Sequence, residues 1–266
     1  MVDLLGFTTL PQEIRIQIDA VTEVWKSTLG TSLLGIYLHG SIALHAFQPA
    51  SGDIDLLVVV REPIPPETRL TLGKAMIALN NHPRLLEMSA VRLCDLQSWV
   101  TPGNCVFHYS EYWTERYQKK LSDPSADCYV VDHDFPDADI TSYIKLIRQC
   151  GIVLYGVPIE DIFPEISDAD FWTAISADVS EYDFHSYDPR YFASNILILG
   201  RILSFRKVGR ILSKYDGGLW MAENVPEHLR YLPQRAMRVW YENAEETFPA
   251  ADLEALRQYL IGEILR

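Results

Sequence analysis

Residues 35–60, GIYLHGSIALHAFQPASGDIDLLVVV, contain two apolar, strand-like runs. A Gly40-Ser41 turn follows the first run, and the acids Asp53 and Asp55 open the second. Because side chains alternate across a strand, both acids point to the same face. A Gly-Ser turn can offer an N–H and a hydroxyl to a phosphate, and two convergent carboxylates suit a Mg²⁺ that also holds triphosphate oxygens. Each short pattern also occurs by chance, but their spacing and strand context favour a nucleotidyl-transfer site.

A third carboxylate, Glu87, lies in a further strand-like segment, LEMSAVRL, at residues 86–93. It shares a face with Ser89, and an acid in such a segment is costly to bury unless it is paired or bound to a cation. If this strand lies beside residues 53–60, Glu87 faces the acid pair. There it would be a general base or complete the metal shell. The alternative is an exposed glutamate on an edge strand.

The organisation of the chain changes near its middle. The first half alternates predicted helices and strands: helices at residues 11–27 and 66–80, and strands at residues 33–38, 53–60 and 86–93. From residue 137 onward helical periodicity dominates, in blocks at 140–154, 168–178, 190–208, 218–223, 227–243 and 251–265. We therefore predict an α/β domain with a mixed sheet and helices over residues 1–156. An all-α helical-bundle domain over residues 157–266 follows, with a linker at residues 156–158.

Composition limits the class of protein. The formal net charge is −13, whereas a protein that tracks a phosphate backbone is normally basic, so we expect no nucleic-acid partner. No apolar run is long enough to span a bilayer, and the N-terminus lacks a signal-peptide pattern. The four cysteines have no C-x-x-C spacing, which suits a reducing cytoplasm. We expect a cytoplasmic monomer without a membrane partner. The acidity either keeps the protein soluble or attracts a cationic acceptor.

Taken together, residues 35–60, the segment LLEMSAV and the C-terminal half resemble the bacterial aminoglycoside nucleotidyltransferases, specifically the streptomycin/spectinomycin 3″/9-adenylyltransferases. In the C-terminal half the likeness rests on Asp188-Pro189-Arg190, which opens a long helix, and on the segment from Ser213-Lys214 through residues 220–222. The resemblance implies an α/β nucleotidyltransferase domain followed by a helical domain. ATP and a cationic drug would bind in the cleft between them.

The resemblance assigns nucleotide-side roles to nine positions. Mg²⁺ would bind Asp53 and Asp55, with Glu87 as the catalytic base or a further ligand, and Gly40, Ser41 and Gly52 would lie by the phosphates. Lys214 would contact the triphosphate, although a solvent-facing helix lysine is the alternative on sequence alone. Tyr241 matches a nucleotide-side tyrosine, and Asp139 matches an aspartate near the site. Gly52 is often serine in the family, so one phosphate contact would come from the backbone alone.

The acceptor side departs further from the family pattern. The tryptophan that stacks on streptomycin aligns with Tyr112 or, after a one-residue slip, with Trp113. The aspartate that streptomycin modifiers use falls on Phe184, flanked by Asp183 and His185, and Asp188 would suit a cationic amine. A polar loop between helices is the alternative interpretation of residues 182–188. The Phe184 position favours spectinomycin over streptomycin.

We therefore predict an ATP- and Mg²⁺-dependent adenylyltransferase that modifies a hydroxyl of spectinomycin, with streptomycin as the second acceptor, and so confers antibiotic resistance. One alternative keeps the chemistry but uses another small-molecule or protein acceptor. Another is a non-catalytic, antitoxin-like module with the nucleotidyltransferase fold. Such modules usually lack a helical half of their own, and the presence of Asp53, Asp55 and Glu87 favours catalysis.

Overall fold

The computed structural model describes residues 4–177, 179–182 and 188–266. Contacts between residues divide the chain into two compact units, Leu4–Ala174 and Ile175–Arg266. The division falls within the helix Asp168–Ser176, whereas the sequence prediction places the domain boundary at residue 156. The first unit combines a mixed sheet with helices and the second is helical, which confirms the predicted fold class.

The first unit is built on a five-stranded sheet with the order β5-β3-β2-β1-β7. Its strands are β1 (Leu33–Leu38), β2 (Ile54–Val60), β3 (Leu86–Arg92), β5 (Phe107–Tyr109) and β7 (Ile152–Gly156). The pair β2–β3 is parallel and the other pairs are antiparallel. A separate antiparallel pair joins β4 (Gly103–Cys105) to β6 (Phe135–Asp137).

The core of this unit lies between the sheet and two long helices, α1 (Gln12–Leu29) and α3 (Pro66–Leu79). Trp25 of α1 is fully buried, together with the whole of Leu56–Val60 in β2. A central strand covered on both faces reads as a continuous apolar run, which explains the LLVVV sequence. The parallel β2–β3 pair requires a crossover connection, and α3 supplies it, beginning with Pro66 in its first turn.

Shorter helices complete this unit. They are α2 (Gly40–Ala43), α4 (Leu93–Gln97), α5 (Thr114–Ser122), α6 (Tyr129–Asp132), α7 (Ala138–Cys150), α8 (Ile159–Ile162) and α9 (Asp168–Ser176).

The prediction of one helix over residues 140–154 was wrong at its C-terminal end. Helix α7 ends at Cys150, and β7 then pairs with β1, with Gly156 opposite Gly35. The apolar run IVLY fits a helix or a strand equally well. Its strand conformation depends on pairing with β1, which lies more than 100 residues earlier in the chain. Gly156 is therefore part of the sheet, and the linker predicted at residues 156–158 was wrong at this residue.

The second unit consists of packed helices, α10 (Pro189–Val208), α11 (Lys214–Asn224), α12 (Tyr231–Glu242) and α13 (Ala250–Leu265). Asp188 caps α10, since its carboxylate accepts a hydrogen bond from the Arg190 amide at 2.9 Å. Helix α11 begins four residues before the predicted position. Its cap is Ser213, whose hydroxyl accepts from the Asp216 amide at 3.0 Å.

All four cysteines are free thiols. Cys94 is exposed at the start of α4, whereas Cys105 and Cys128 are buried and Cys150 is half-buried. In the part of the chain that the structure describes, no helix combines the length and apolarity needed to cross a membrane.

Candidate active site

The Gly40 turn and the Asp55 carboxylate are in direct contact. The His39 amide donates to the Asp55 carbonyl at 3.0 Å, which fixes the end of β1 against the start of β2. Gly40 has φ +65°, and a Cβ built on it would lie 1.7 Å from Asp55 Oδ2. Only a residue without a side chain fits here, so the glycine places the turn and its neighbour Ser41 beside this acid.

Glu87 lies beside Asp55 in the sheet, as predicted. The two residues are register partners across the parallel β2–β3 pair. Their side chains therefore lie on the same face of the sheet, on neighbouring strands about 4.8 Å apart. Strand β5 covers the far side of β3, and Glu87 is half-buried. The alternative of an exposed glutamate on an edge strand was therefore wrong.

The loop before Asp53 is held by main-chain contacts. Arg84 donates to the Gly52 carbonyl at 2.6 Å and to the Ala50 carbonyl at 2.9 Å. A Cβ on Gly52 would lie 2.6 Å from the Phe47 ring, so a side chain at this position would require the ring or the loop to shift. Asp53 follows this loop directly and precedes β2 by one residue.

The donor set of the site is made of carboxylate oxygens, which fits Mg²⁺. Asp53 and Asp55 flank one residue at the start of β2, and Asp55 is seated against Gly40. Within residues 4–177, 179–182 and 188–266, no three His, Cys, Asp or Glu side chains are grouped so that they could hold a metal ion. Asp53, Asp55 and Glu87 thus do not form a ready three-carboxylate shell. The pair Asp53 and Asp55 is the candidate metal site.

Glu87 is hydrogen-bonded by a residue that the sequence analysis missed. The hydroxyl of Tyr143, on α7, donates to Glu87 Oε1 at 2.7 Å. The Tyr143 ring packs on the His39 ring, with centroids 4.5 Å apart. Burial and the neighbouring Glu87 carboxylate raise the pKa of Tyr143 well above its ordinary value, so the hydroxyl keeps its proton and stays a donor. Tyr143 follows Asp139 by four residues, and this helical spacing was the available signal.

Two further titratable groups lie near Glu87. His108 on β5 is the register partner of Ser89, and its Nδ1 is 3.0 Å from Ser89 Oγ. Burial lowers the pKa of His108, opposed by the charges of Glu87 and Asp137. Asp137 caps α7 by accepting from the Asp139 amide at 2.9 Å, and burial raises its pKa. The predicted Asp139 is exposed in the first turn of α7.

His39 is also uncharged. Complete burial lowers its pKa to about 3, so the imidazole is neutral at physiological pH. Its Nε2 is buried and has no hydrogen-bond partner among the described residues.

Two basic residues of the second unit, Lys214 and Arg190, pack on one indole ring. Lys214 Nζ lies 4.2 Å from the centroid of the Trp240 ring and 3.2 Å from Ser194 Oγ. Arg190 also packs over Trp240, at 5.2 Å. Lys214 is half-buried, so the solvent-facing alternative was wrong, and Trp240 is a neighbour that the sequence analysis missed.

Tyr241, the other nucleotide-side residue predicted here, is buried. Its ring packs edge-on against Tyr215, with centroids 5.2 Å apart.

The two aromatic residues predicted to face the acceptor are neighbours at the surface of the first unit. Tyr112 is 70% exposed, whereas Trp113 packs partly against the core. The Arg116 guanidinium lies 4.8 Å from each ring centroid. Of the two aligned candidates, Tyr112 is thus the ring open to a ligand. Asp188 is exposed at the start of α10, and Asp183, Phe184 and His185 lie outside the described residues.

Comparison with known proteins agrees with this architecture. Residues 161–263 match the family model of the aminoglycoside adenylyltransferase C-terminal domain. Spectinomycin 9-adenylyltransferase of Enterococcus faecalis is 26% identical over 239 residues, which cover 87% of this chain and 89% of that protein. The Campylobacter jejuni spectinomycin 9-adenylyltransferase is 24% identical over 261 residues, 94% of this chain and 96% of that protein.

A solved structure shares the fold. The crystal structure of spectinomycin adenyltransferase AAD(9) from Enterococcus faecalis with ATP and spectinomycin superimposes with a TM-score of 0.80 at 22% identity. The match covers 95% of this chain and 99% of that chain. The chain is therefore similar over most of its length to the spectinomycin 9-adenylyltransferases, and its C-terminal region is similar to the aminoglycoside adenylyltransferase C-terminal domain.

Proposed function

We propose that this protein is an adenylyltransferase that transfers AMP from ATP to a hydroxyl of spectinomycin. The observation that carries the proposal is the register of Asp55 with Glu87, beside the Gly40 turn. It brings two carboxylates and a glycine turn to one end of the sheet, which supports our proposal that they act as a metal ligand, a proton acceptor and a phosphate-binding turn. The names of the relatives support the reaction and the acceptor.

The phosphate side of the site would use the turn and the acid pair. Asp53 and Asp55 would hold Mg²⁺, which when bound offsets charge on the triphosphate and on the departing pyrophosphate. The Gly40 turn offers its main chain, and Ser41 offers a hydroxyl. Gly52 would shape the loop beside the phosphates, because its amide donates to the Gln48 carbonyl at 2.7 Å and its carbonyl accepts from Arg84 at 2.6 Å.

Glu87 would act as the general base. As the acceptor oxygen bonds to the α-phosphorus, the bond from that phosphorus to pyrophosphate breaks, and the acceptor proton passes to the Glu87 carboxylate. The residue is half-buried and held on one oxygen, so its position is defined before the substrate binds. A fixed position of the base increases the reaction rate, because the rate depends steeply on the geometry between the base and the acceptor hydroxyl.

The second unit would contribute to ATP binding. Lys214 would supply a positive charge for the triphosphate, and Tyr241 would contact the nucleotide. Packing of Lys214 on Trp240 and against Ser194 limits its rotamers, which lowers the entropy lost when it binds a phosphate.

The acceptor would be a cation. The net charge of −13 raises the local concentration of cationic ligands, and the exposed Tyr112 ring can stack on a cationic drug. Asp183, His185 and Asp188 are proposed to take part in binding its amines. Streptomycin is proposed as the weaker acceptor, because Phe184 replaces a carboxylate.

Mass spectrometry of spectinomycin and streptomycin, each incubated with the protein, ATP and Mg²⁺, tests the proposal. We expect an AMP-sized gain on spectinomycin. Glu87→Gln should lower the rate of transfer by about 100-fold or more while ATP binding by calorimetry is unchanged. Glu67→Gln, an exposed glutamate in the first turn of α3, is the matched control and should transfer at the wild-type rate. Bound ATP with no mass gain on either drug would contradict the proposed acceptor and favour another one.

A further inference from the structure

The hydroxyl of Tyr143 and the carboxylate of Glu87 form a contact between two separate elements of the first unit. Glu87 is the second residue of β3, and Tyr143 is in the second turn of α7. The two are 56 positions apart in sequence, yet the oxygen–oxygen distance is 2.7 Å. A hydroxyl that donates to a carboxylate at this distance forms a charge-assisted hydrogen bond.

Tyr143 is itself held from two sides. Asp137 caps the helix that carries it, and the buried face of that helix, Ile140, Ile144 and Ile147, packs into the core. Its ring lies on His39, whose amide is bonded to the Asp55 carbonyl. Since His39 precedes Gly40 directly, the tyrosine links the phosphate-binding turn to the proposed base.

The charges around Glu87 make a donor necessary. Asp55 is its register partner on β2, and Asp137 and Asp139 lie at the start of α7. His108 on β5 has its Nδ1 engaged with Ser89. Neighbouring acids repel a carboxylate, so without a donor it would turn toward solvent.

We infer that Tyr143 is a positioning residue for the reaction, which fixes Glu87 Oε1 and so directs the carboxylate toward the acceptor hydroxyl. The inference rests on the proposed function, in which Glu87 takes the acceptor proton. It adds a residue whose hydroxyl acts only through Glu87 and does not touch the reacting atoms.

The first test measures the contact without activity. The protein is labelled with 3-fluorotyrosine, and the Tyr143 resonance in the ¹⁹F spectrum is assigned from Tyr143→Phe. Glu87→Gln should move this resonance. The matched control is Tyr37, a buried tyrosine whose hydroxyl donates to the Val157 carbonyl at 2.8 Å. Its resonance, assigned from Tyr37→Phe, should stay in place. A Tyr143 resonance that is identical in wild type and Glu87→Gln would overturn the inference.

The second test separates positioning from stability. Tyr143→Phe keeps the ring on His39 and should lower kcat for AMP transfer about ten- to hundredfold, with KM for ATP and for spectinomycin within about twofold of wild type. Tyr37→Phe should keep kcat, and thermal midpoints of both variants show whether folding is intact. An unchanged kcat for Tyr143→Phe in an active enzyme overturns the positioning role alone. If Glu87→Gln moves the Tyr143 resonance but the wild-type protein transfers no AMP, the contact is supported and the proposed function is contradicted.

Discussion

Gly40→Ala should lower the rate of AMP transfer by displacing the Asp55 carboxylate, and this effect can be distinguished from a loss of fold stability. The new methyl carbon would lie 1.7 Å from Asp55 Oδ2, whereas such contacts stay above about 3.0 Å. The carboxylate must therefore move by about 1 Å or more, and a misplacement of about 1 Å at a catalytic group can cost about 100-fold in rate. The positive φ adds strain of about 1–3 kcal/mol, which lowers the free energy of unfolding.

The control for backbone strain is Gly30→Ala. Gly30 has φ +51°, lies in the same unit, and has open space where a Cβ would stand. It should lose about 1–3 kcal/mol in urea denaturation and keep the wild-type kcat. Initial rates of AMP transfer at saturating ATP then compare the two variants. If Gly40→Ala transfers within about twofold of wild type, or if both variants lose kcat equally, the contact with Asp55 does not govern catalysis.

Three further predictions follow from contacts described above. Lys214→Ala should raise KM for ATP about tenfold, because a charged contact to phosphate is lost, whereas Lys207→Ala, an exposed lysine, should leave it unchanged in the same rate assay. Gly52→Ser should lower the free energy of unfolding in urea by about 1–3 kcal/mol, because the serine side chain would overlap the Phe47 ring. Stability equal to that of wild type would show that the loop before Asp53 moves to accommodate the side chain. Burial raises the pKa of Asp137 in the folded state, so protonation favours folding and stability is lost as pH rises through that pKa. Asp137→Asn keeps an acceptor for the helix cap without the charge, so its stability relative to wild type, measured in urea without ATP or Mg²⁺, should improve between pH 4 and pH 8. A constant difference would contradict this.

Local rules predicted the centre of the first unit well. The apolar run within residues 53–60 and the pattern of residues 86–93 predicted both strands, and side-chain alternation placed Glu87 on the face that Asp55 shares. The prediction held because each strand is short and rich in apolar residues. The helices of the second unit also follow from their periodicity, although the Ser213 cap that begins α11 was overlooked.

Contacts between distant segments could not be predicted in this way. Strand β7 depends on pairing with β1, and periodicity cannot distinguish its apolar run from a helix. Tyr143 reads as an ordinary helix residue, and its role appears only when α7 lies over the end of β3. His108 likewise reads as one of several aromatics until the β3–β5 register sets it beside Ser89.

The unequal burial of the thiols makes this chain selectively reactive. A maleimide reacts with a thiolate, and burial raises the pKa of Cys105 to about 12 and that of Cys150 to about 11. Burial also raises the pKa of Cys128, which leaves Cys94 as the thiol that a dye reaches first at neutral pH. Cys94 stands just past the end of β3, about 20 Å along the chain from Glu87. The natural sequence therefore carries a labelling position from which energy transfer to a fluorescent ATP analogue can time nucleotide arrival.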